Sequence, residues 1–160
     1  MVALVAEART PYVAMHWRAP SDRMHRHTAY RDVVTDVVAE LRARLDRLVA
    51  AGVEPGRVLL DPGLGFAKRP EHNWQLLARL DALQALGRPL VVGASRKSFL
   101  GTAVAGGGAV PAPRDRDAAS AAVSALAAVA GVYCVRVHDV RSSLQAVRVA
   151  AAWSGAASPG

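Results

Sequence analysis

Asp61-Pro62-Gly63-Leu64-Gly65-Phe66, Gly93-Ala94-Ser95-Arg96-Lys97-Ser98-Phe99 and Arg136-Val137-His138-Asp139 bring a carboxylate, an ammonium beside a hydroxyl, and a guanidinium beside an imidazole. A carboxylate can accept paired hydrogen bonds from the adjacent N–H donors of an amino-pyrimidine edge. A guanidinium gives planar, multidentate recognition of phosphate oxygens, and a histidine adds a further donor. Each segment follows an apolar run: Arg57–Leu60, Pro89–Val92 and Val132–Val135. Such runs, alternating with helical patterns, predict a parallel sheet buried on both faces. In such folds the loops after the carboxyl ends of the strands carry the site. The three segments should therefore meet on one rim, with chemistry suited to an anionic, heteroaromatic substrate.

Every one of these residues also has a plainer reading. Asp61 in Asp-Pro-Gly could be a simple turn former, and Phe66 a loop aromatic folded onto its own helix. Lys97 could be a solvated lysine beside an ordinary helix cap at Ser98. Arg136 could pair with Asp139, with His138 capping the following helix. Gly63 and Gly65 allow close backbone approach or positive φ, yet they lack the spacing of a phosphate loop. Arg96 has no assignment beyond the surface or an ion pair. His16, His25 and His27 lie in one connection at unhelpful spacing without a matched carboxylate pair, so no metal cluster is predicted. The functional reading gains from the three segments standing in step.

In combination these segments resemble dihydropteroate synthases, which join p-aminobenzoate to a dihydropterin pyrophosphate. Tyr12-Val13-Ala14-Met15-His16-Trp17-Arg18 and His72-Asn73-Trp74 are also similar to that family. The resemblance implies an α/β fold, a parallel (β/α) barrel of the TIM type. It covers only the carboxyl-terminal half: about four βα units, strands five to eight, over residues 1–153, with 154–160 a flexible tail. The family's amino-terminal pterin-holding segments have no counterpart, and an intact barrel needs about 250 residues. A split or shortened homologue, a misplaced start and a partial chain all fit this.

By the same resemblance, Asp61, Phe66, Lys97 and Met15 contact the pterin, and Met15 has the alternative of a core methionine. Ser98 and Lys97 border p-aminobenzoate, and Arg136 and His138 bind the pyrophosphate. Lys97, Arg136 and His138 carry the catalysis. Mg²⁺ is implied as cofactor, with ligands mainly in the other half. Pterin pyrophosphate and p-aminobenzoate are the implied partners, together with a second copy or an amino-terminal complement. A non-catalytic interaction subunit and the pterin-binding domain of a folate-dependent methyltransferase remain as alternatives. The Ser95–Gly101 and Arg136–Val140 segments argue against the methyltransferase.

The elements that must hold these residues follow from periodicity. The opening Val2–Arg9 reads as the tail of a helix and Pro11–Met15 as a strand. Tyr30–Ala51 carries apolar residues at helical spacing and stops at Gly52. A helix is predicted from Glu71 to Leu86, with Trp74, Leu77, Leu80 and Leu83 on its inner face. Further helices are predicted after Lys97, from Asp115 to Ala130, and from Ser142 to Trp153. Gly106-Gly107-Gly108, with Pro111 and Pro113, reads as a surface loop.

The chain has 160 residues, 52% of them hydrophobic, enough for one domain with a sizeable core. Its net charge of +7 comes almost wholly from scattered Arg, with Lys only at 68 and 97. Without a basic patch or motif this does not predict nucleic-acid binding. The single Cys134 excludes an internal disulfide and reads as a core residue of its strand. With no membrane-length apolar run and no signal pattern, a cytoplasmic location is the expectation.

Overall fold

Four short parallel strands are laid down by the apolar runs, each followed by helix. The computed structural model describes residues 2–20 and 22–156. Strand β1 spans Tyr12–Met15, β2 Val58–Asp61, β3 Val91–Val92 and β4 Cys134–Val135. Helix α1 is Val2–Ala8, α2 Val33–Ala50, α3 Pro70–Ala78, α4 Leu80–Gln84, α5 Ser98–Val104, α6 Asp117–Val129 and α7 Val140–Ala156. Short 3-10 turns occupy Met24–His27, Pro55–Arg57 and Pro113–Arg116. None of the described helices is long and apolar enough to cross a membrane.

The strands run in sequence order, but unevenly. β1 and β2 pair over four residues, from Tyr12 with Val58 to Met15 with Asp61. β3 and β4 pair over two, Val91 with Cys134 and Val92 with Val135. A single bridge, Leu60 with Leu90, joins the two pairs, and Leu60 N–H donates to the Pro89 carbonyl at 2.9 Å. Pro62 and Pro89 flank this bridge and have no N–H to extend a ladder.

Side chains alternate across the strands. Ala14, Val58, Leu60 and Val92 face the helices and meet Val37, Leu41, Leu76, Leu83, Phe99 and Leu100 in the core. Full burial of such side chains is worth about 1.5–3 kcal/mol each, an upper bound. On the opposite face lie Val13, Met15, Asp61, Gly93 and Arg136, and this side is partly open. Val13 is 39% exposed for that reason. Cys134 shares this face and is exposed, which corrects the expectation of a core cysteine: strand alternation put it on the partly open side.

Helix boundaries moved where capping chemistry intervened. Asp32 caps α2 by accepting from Thr35 N–H at 2.7 Å, so the helix starts at Val33 instead of Tyr30. The single helix expected over 71–86 is two, because Arg79 leaves helical geometry at φ −127°, ψ 44°. The break turns Leu76, Leu80 and Leu83 inward. Trp74 is displaced from the expected inner face: it is 39% exposed and packs edge-on against Phe99 at 5.1 Å. α7 runs past Trp153 through 154–156, carried by the strong helix former Ala at 150–152. Residues 157–160 of the expected tail lie outside the described residues.

Candidate functional site

The carboxyl end of β2 places Asp61 on the face turned away from the helices, where its residue is wholly buried. The turn that follows is shaped by Gly63 at φ +63°, which brings its N–H to Asp61 Oδ1 at 2.7 Å. Oδ2 lies 2.9 Å from Arg136 Nη2. That contact is an ion pair without an aligned N–H, so Oδ2 is buried with no hydrogen-bond partner among the described residues. A buried carboxylate oxygen without a donor is costly. Arg136 offsets its charge, and its lone pairs remain free of hydrogen bonds among the described residues.

Arg136 reaches Asp61 by crossing over Gly93. A Cβ there would fall 2.8 Å from Nη2. Its Nη2 also lies 4.0 Å from Met15 Sδ, and Met15 stands beside Asp61 in the β1–β2 register. The pairing of Arg136 with Asp139 is not what forms. Asp139 instead caps α7, accepting from Ser142 N–H at 3.3 Å.

Lys97 folds inward against the Asp61 loop. Its amine donates to the Leu64 carbonyl and sits 4.2 Å above the Phe66 ring. Its stem fills the space over Gly65, where a Cβ would come 2.8 Å from Cδ. Burial lowers its pKa to about 8; Asp61 opposes the shift and Arg136 adds to it. The solvated-lysine reading does not hold. Gly65 N–H donates to Asn73 Oδ1 at 2.6 Å, and buried Asn73 donates in turn to the Arg69 carbonyl, so α3 pins the loop.

Asp61, Met15, Phe66, Lys97 and Arg136 thus come together. Two predicted residues stand apart. His138 takes a different partner: its Nδ1 lies 3.0 Å from Ser95 Oγ, and its N–H donates to the same oxygen at 3.2 Å. With Ser95, Arg96, Lys97, Pro113 and Arg114 it lines an open hollow of about 810 Å³. Ser98 is exposed at the first position of α5, which Lys97 precedes as cap residue. Arg96 forms a two-pronged pair with Asp117 at 2.8 Å on both prongs, despite a positive φ of 60°.

Sequence reasoning assigned no role to Ser95, Asn73 or Lys68, and it considered His16 only as a metal ligand. Lys68 is 9% exposed and His16 2% exposed, directly behind the Asp61 loop. The one available signal was that Lys68, one of only two lysines in the chain, follows this loop within two residues.

Mg²⁺ finds no fitting donor set here. Among the described residues no three His, Cys, Asp or Glu side chains converge. The buried carboxylate of Asp61 already faces Arg136 and Lys97, whose charges repel a divalent cation.

The chain as a whole is similar to known proteins. The chain matches the family described as pterin binding enzyme over residues 1–138. It is 54% identical to the dihydropteroate synthase of Mycobacterium leprae over 155 residues, 96% of this chain and 55% of that one. A Yersinia pestis dihydropteroate synthase, solved with a sulfonamide drug complex, superposes with a TM-score of 0.90 at 35% identity, covering 97% of this chain and 55% of that one. The Thermus thermophilus enzyme in complex with 4-aminobenzoate gives 0.86 at 44% identity, covering 94% and 60%. The chain spans about half the length of the curated relatives it matches. Its fold is the α/β fold of the TIM-barrel type, and with most of its length inside the match, the chain belongs to the pterin binding enzyme family.

Proposed function

We propose that this chain carries the carboxyl-terminal half of a dihydropteroate synthase site, on a half-barrel of strands five to eight formed by residues 1–153. The full reaction would condense p-aminobenzoate with 6-hydroxymethyl-7,8-dihydropterin pyrophosphate, giving dihydropteroate and pyrophosphate in folate biosynthesis. The observation that carries this reading is Asp61 Oδ2, buried and without a hydrogen bond between two cations.

In this reading Asp61 accepts the paired N–H donors of the pterin edge. Phe66 packs on the ring and Met15 floors the pocket. The arylamine attacks the methylene carbon and the pyrophosphate leaves, so negative charge grows on the leaving oxygen. Arg136 would swing from Asp61 to that charge, and preorganised cations are the largest contributors to such steps. His138, oriented by Ser95, adds a donor, and Lys97 positions the ring and borders the p-aminobenzoate, with Ser98 at its far side. The Mg²⁺ implied by the family, p-aminobenzoate closure and the remaining pterin contacts belong to an amino-terminal half. A second copy or that half would cover the partly open face, in the cytoplasm.

The test is calorimetric binding of 6-hydroxymethyl-7,8-dihydropterin and of its pyrophosphate ester, using the chain alone and joined behind the amino-terminal half of a relative. Asp61→Asn should weaken both ligands. Arg136→Ala should weaken only the ester, by the about 1.5–3 kcal/mol of a charge-assisted contact, or roughly ten- to 150-fold. Equal losses for both ligands in Arg136→Ala would sink its phosphate role. No binding by the joined chain would sink the whole reading.

A further inference from the structure

Behind the Asp61 loop lies a buried polar cluster that the proposed chemistry does not use. Lys68 Nζ is within 3.1 Å of the Gly63 carbonyl, 3.1 Å of the Phe66 carbonyl and 2.9 Å of His16 Nδ1. An ammonium has three hydrogens, and three acceptors meet it. For Nδ1 to accept, His16 must be neutral with its proton on Nε2. That nitrogen lies 2.9 Å from Glu40 Oε2 and donates to it. Arg18 holds Glu40 from the other side with Nε at 3.0 Å.

The arrangement works in one protonation state. If Lys68 lost a proton, a lone pair would face an acceptor. A proton on Nδ1 of His16 would relieve that, but it would turn the Nε2 lone pair onto the Glu40 carboxylate. Glu40 therefore selects the tautomer, and the tautomer favours the ammonium. The two carbonyls that Lys68 grips bracket the loop: Gly63 is the residue whose N–H orients Asp61, and Phe66 lies under Lys97.

We propose that Lys68 is a positioning residue: its ammonium, kept in register by the Glu40–His16 pair, clamps the Gly63 and Phe66 carbonyls and so fixes the Asp61 and Phe66 geometry that receives the pterin. This rests on the pterin reading above. Six titratable or charged groups face the clamp: His16 and Arg18 after β1, Glu40 on α2, Asp61 on β2, His72 on α3, and Lys97 after β3. Burial and then the Lys97 charge pull the Lys68 pKa down to about 7, while Asp61 and Glu40 oppose. Burial and then Lys68 lower His16 to about 4, which keeps it the neutral acceptor. The clamp thus weakens as pH rises through the Lys68 midpoint.

The test uses the 160-residue chain with isotope-labelled lysine and histidine, observed by NMR. Two lysine signals arise, from Lys68 and Lys97. His16 should appear as the Nε2–H tautomer. Glu40→Gln, at a part-exposed position that tolerates exchange, should raise the Nδ1–H form and lower the Lys68 midpoint. Lys68→Met should displace the Lys97 signal, because Lys97 rests on the same loop. In the chain joined behind the amino-terminal half of a relative, affinity for 6-hydroxymethyl-7,8-dihydropterin should fall above the Lys68 midpoint, fall at lower pH in Glu40→Gln, and be several-fold weaker without that step in Lys68→Met. An Nδ1–H tautomer in the wild type, or an unmoved Lys68 midpoint in Glu40→Gln, overturns the proposal. Should the wild type bind no pterin at any pH even when joined behind the amino-terminal half of a relative, the pterin reading fails on its own. The clamp is then judged by Lys97, whose unshifted signal in Lys68→Met would overturn it. If Lys68→Met does not fold, the Glu40→Gln results decide.

Discussion

The two ends of the site are built to different standards of rigidity. On the β1–β2 side four residue pairs hold the strands, Asp61 is wholly buried, and its loop is gripped by Lys68, Asn73 and Lys97. On the β3–β4 side two pairs hold the strands, and the Arg136 side chain is 52% exposed. The rigid end carries the groups proposed to read a flat ring, where small displacements cost hydrogen bonds. The looser end carries the long cation proposed to follow a departing anion. On these proposed roles, preorganisation is concentrated where shape would be read, and reach is left where charge would move.

Substituting one glycine on each side would break that comparison if it is wrong. The largest effect is expected at Gly63. Its φ is +63°, and a Cβ would lie 1.9 Å from the His16 carbonyl oxygen, a backbone atom that cannot step aside. Left-handed strain costs about 1–2 kcal/mol, and overpacking adds about 1–3 kcal/mol. Gly52→Ala is the control, because Gly52 has φ +88° and nothing within 4 Å. In urea denaturation Gly63→Ala should lose clearly more stability than Gly52→Ala. Equal losses would mean the loop is looser than its contacts indicate.

Acid should act on the rigid side next. The folded state holds His16 down to about 4 from 6.5, chiefly through burial. Between those values the unfolded chain binds the proton and the folded chain does not. The contribution is therefore present above pH 6.5 and lost as pH falls through about 4. The shift corresponds to at most ~3 kcal/mol. Comparing denaturation at neutral and acid pH for wild type and His16→Asn isolates it from the carboxylates. A pH dependence unchanged by the substitution would show that His16 is not held neutral.

How far the sequence revealed this asymmetry depends on the range of the signal. The strand ends, their parallel order and the meeting of Asp61, Lys97 and Arg136 follow from local apolar runs and alternation, which one segment displays by itself. The outward position of Cys134 was hidden because alternation assigns faces only relative to neighbours, not which face is covered. The Lys68–His16–Glu40 cluster joins residues on three separate segments through links that span 24 and 52 positions, and periodicity carries nothing at that range. Likewise Ser95 and His138 meet across 43 positions. The break at Arg79 was invisible because Leu76, Leu80 and Leu83 suit a continuous helix equally well.

The smallest effect on stability, and the finest probe of the looser end, is expected at Gly93. Its φ is not in the left-handed region, and the three atoms nearest the added Cβ of Gly93→Ala all belong to the guanidinium of Arg136, with Nη2 at 2.8 Å. That group ends a flexible side chain that is half exposed, so it can move aside. Stability should therefore change by no more than about 0.5 kcal/mol, as for substitutions away from packed features. The cost appears in function instead. Arg136 can no longer lie across residue 93 to reach Asp61, so the ion pair at 2.9 Å should loosen. Affinity for the pyrophosphate ester should fall, though less than in Arg136→Ala, because the cation remains and only its resting place is lost. Pterin alone should bind as before. If Gly93→Ala were instead as destabilising as Gly63→Ala, the β3–β4 end would be as rigid as its neighbour, and the division between a shape-reading side and a charge-following side would have to be abandoned.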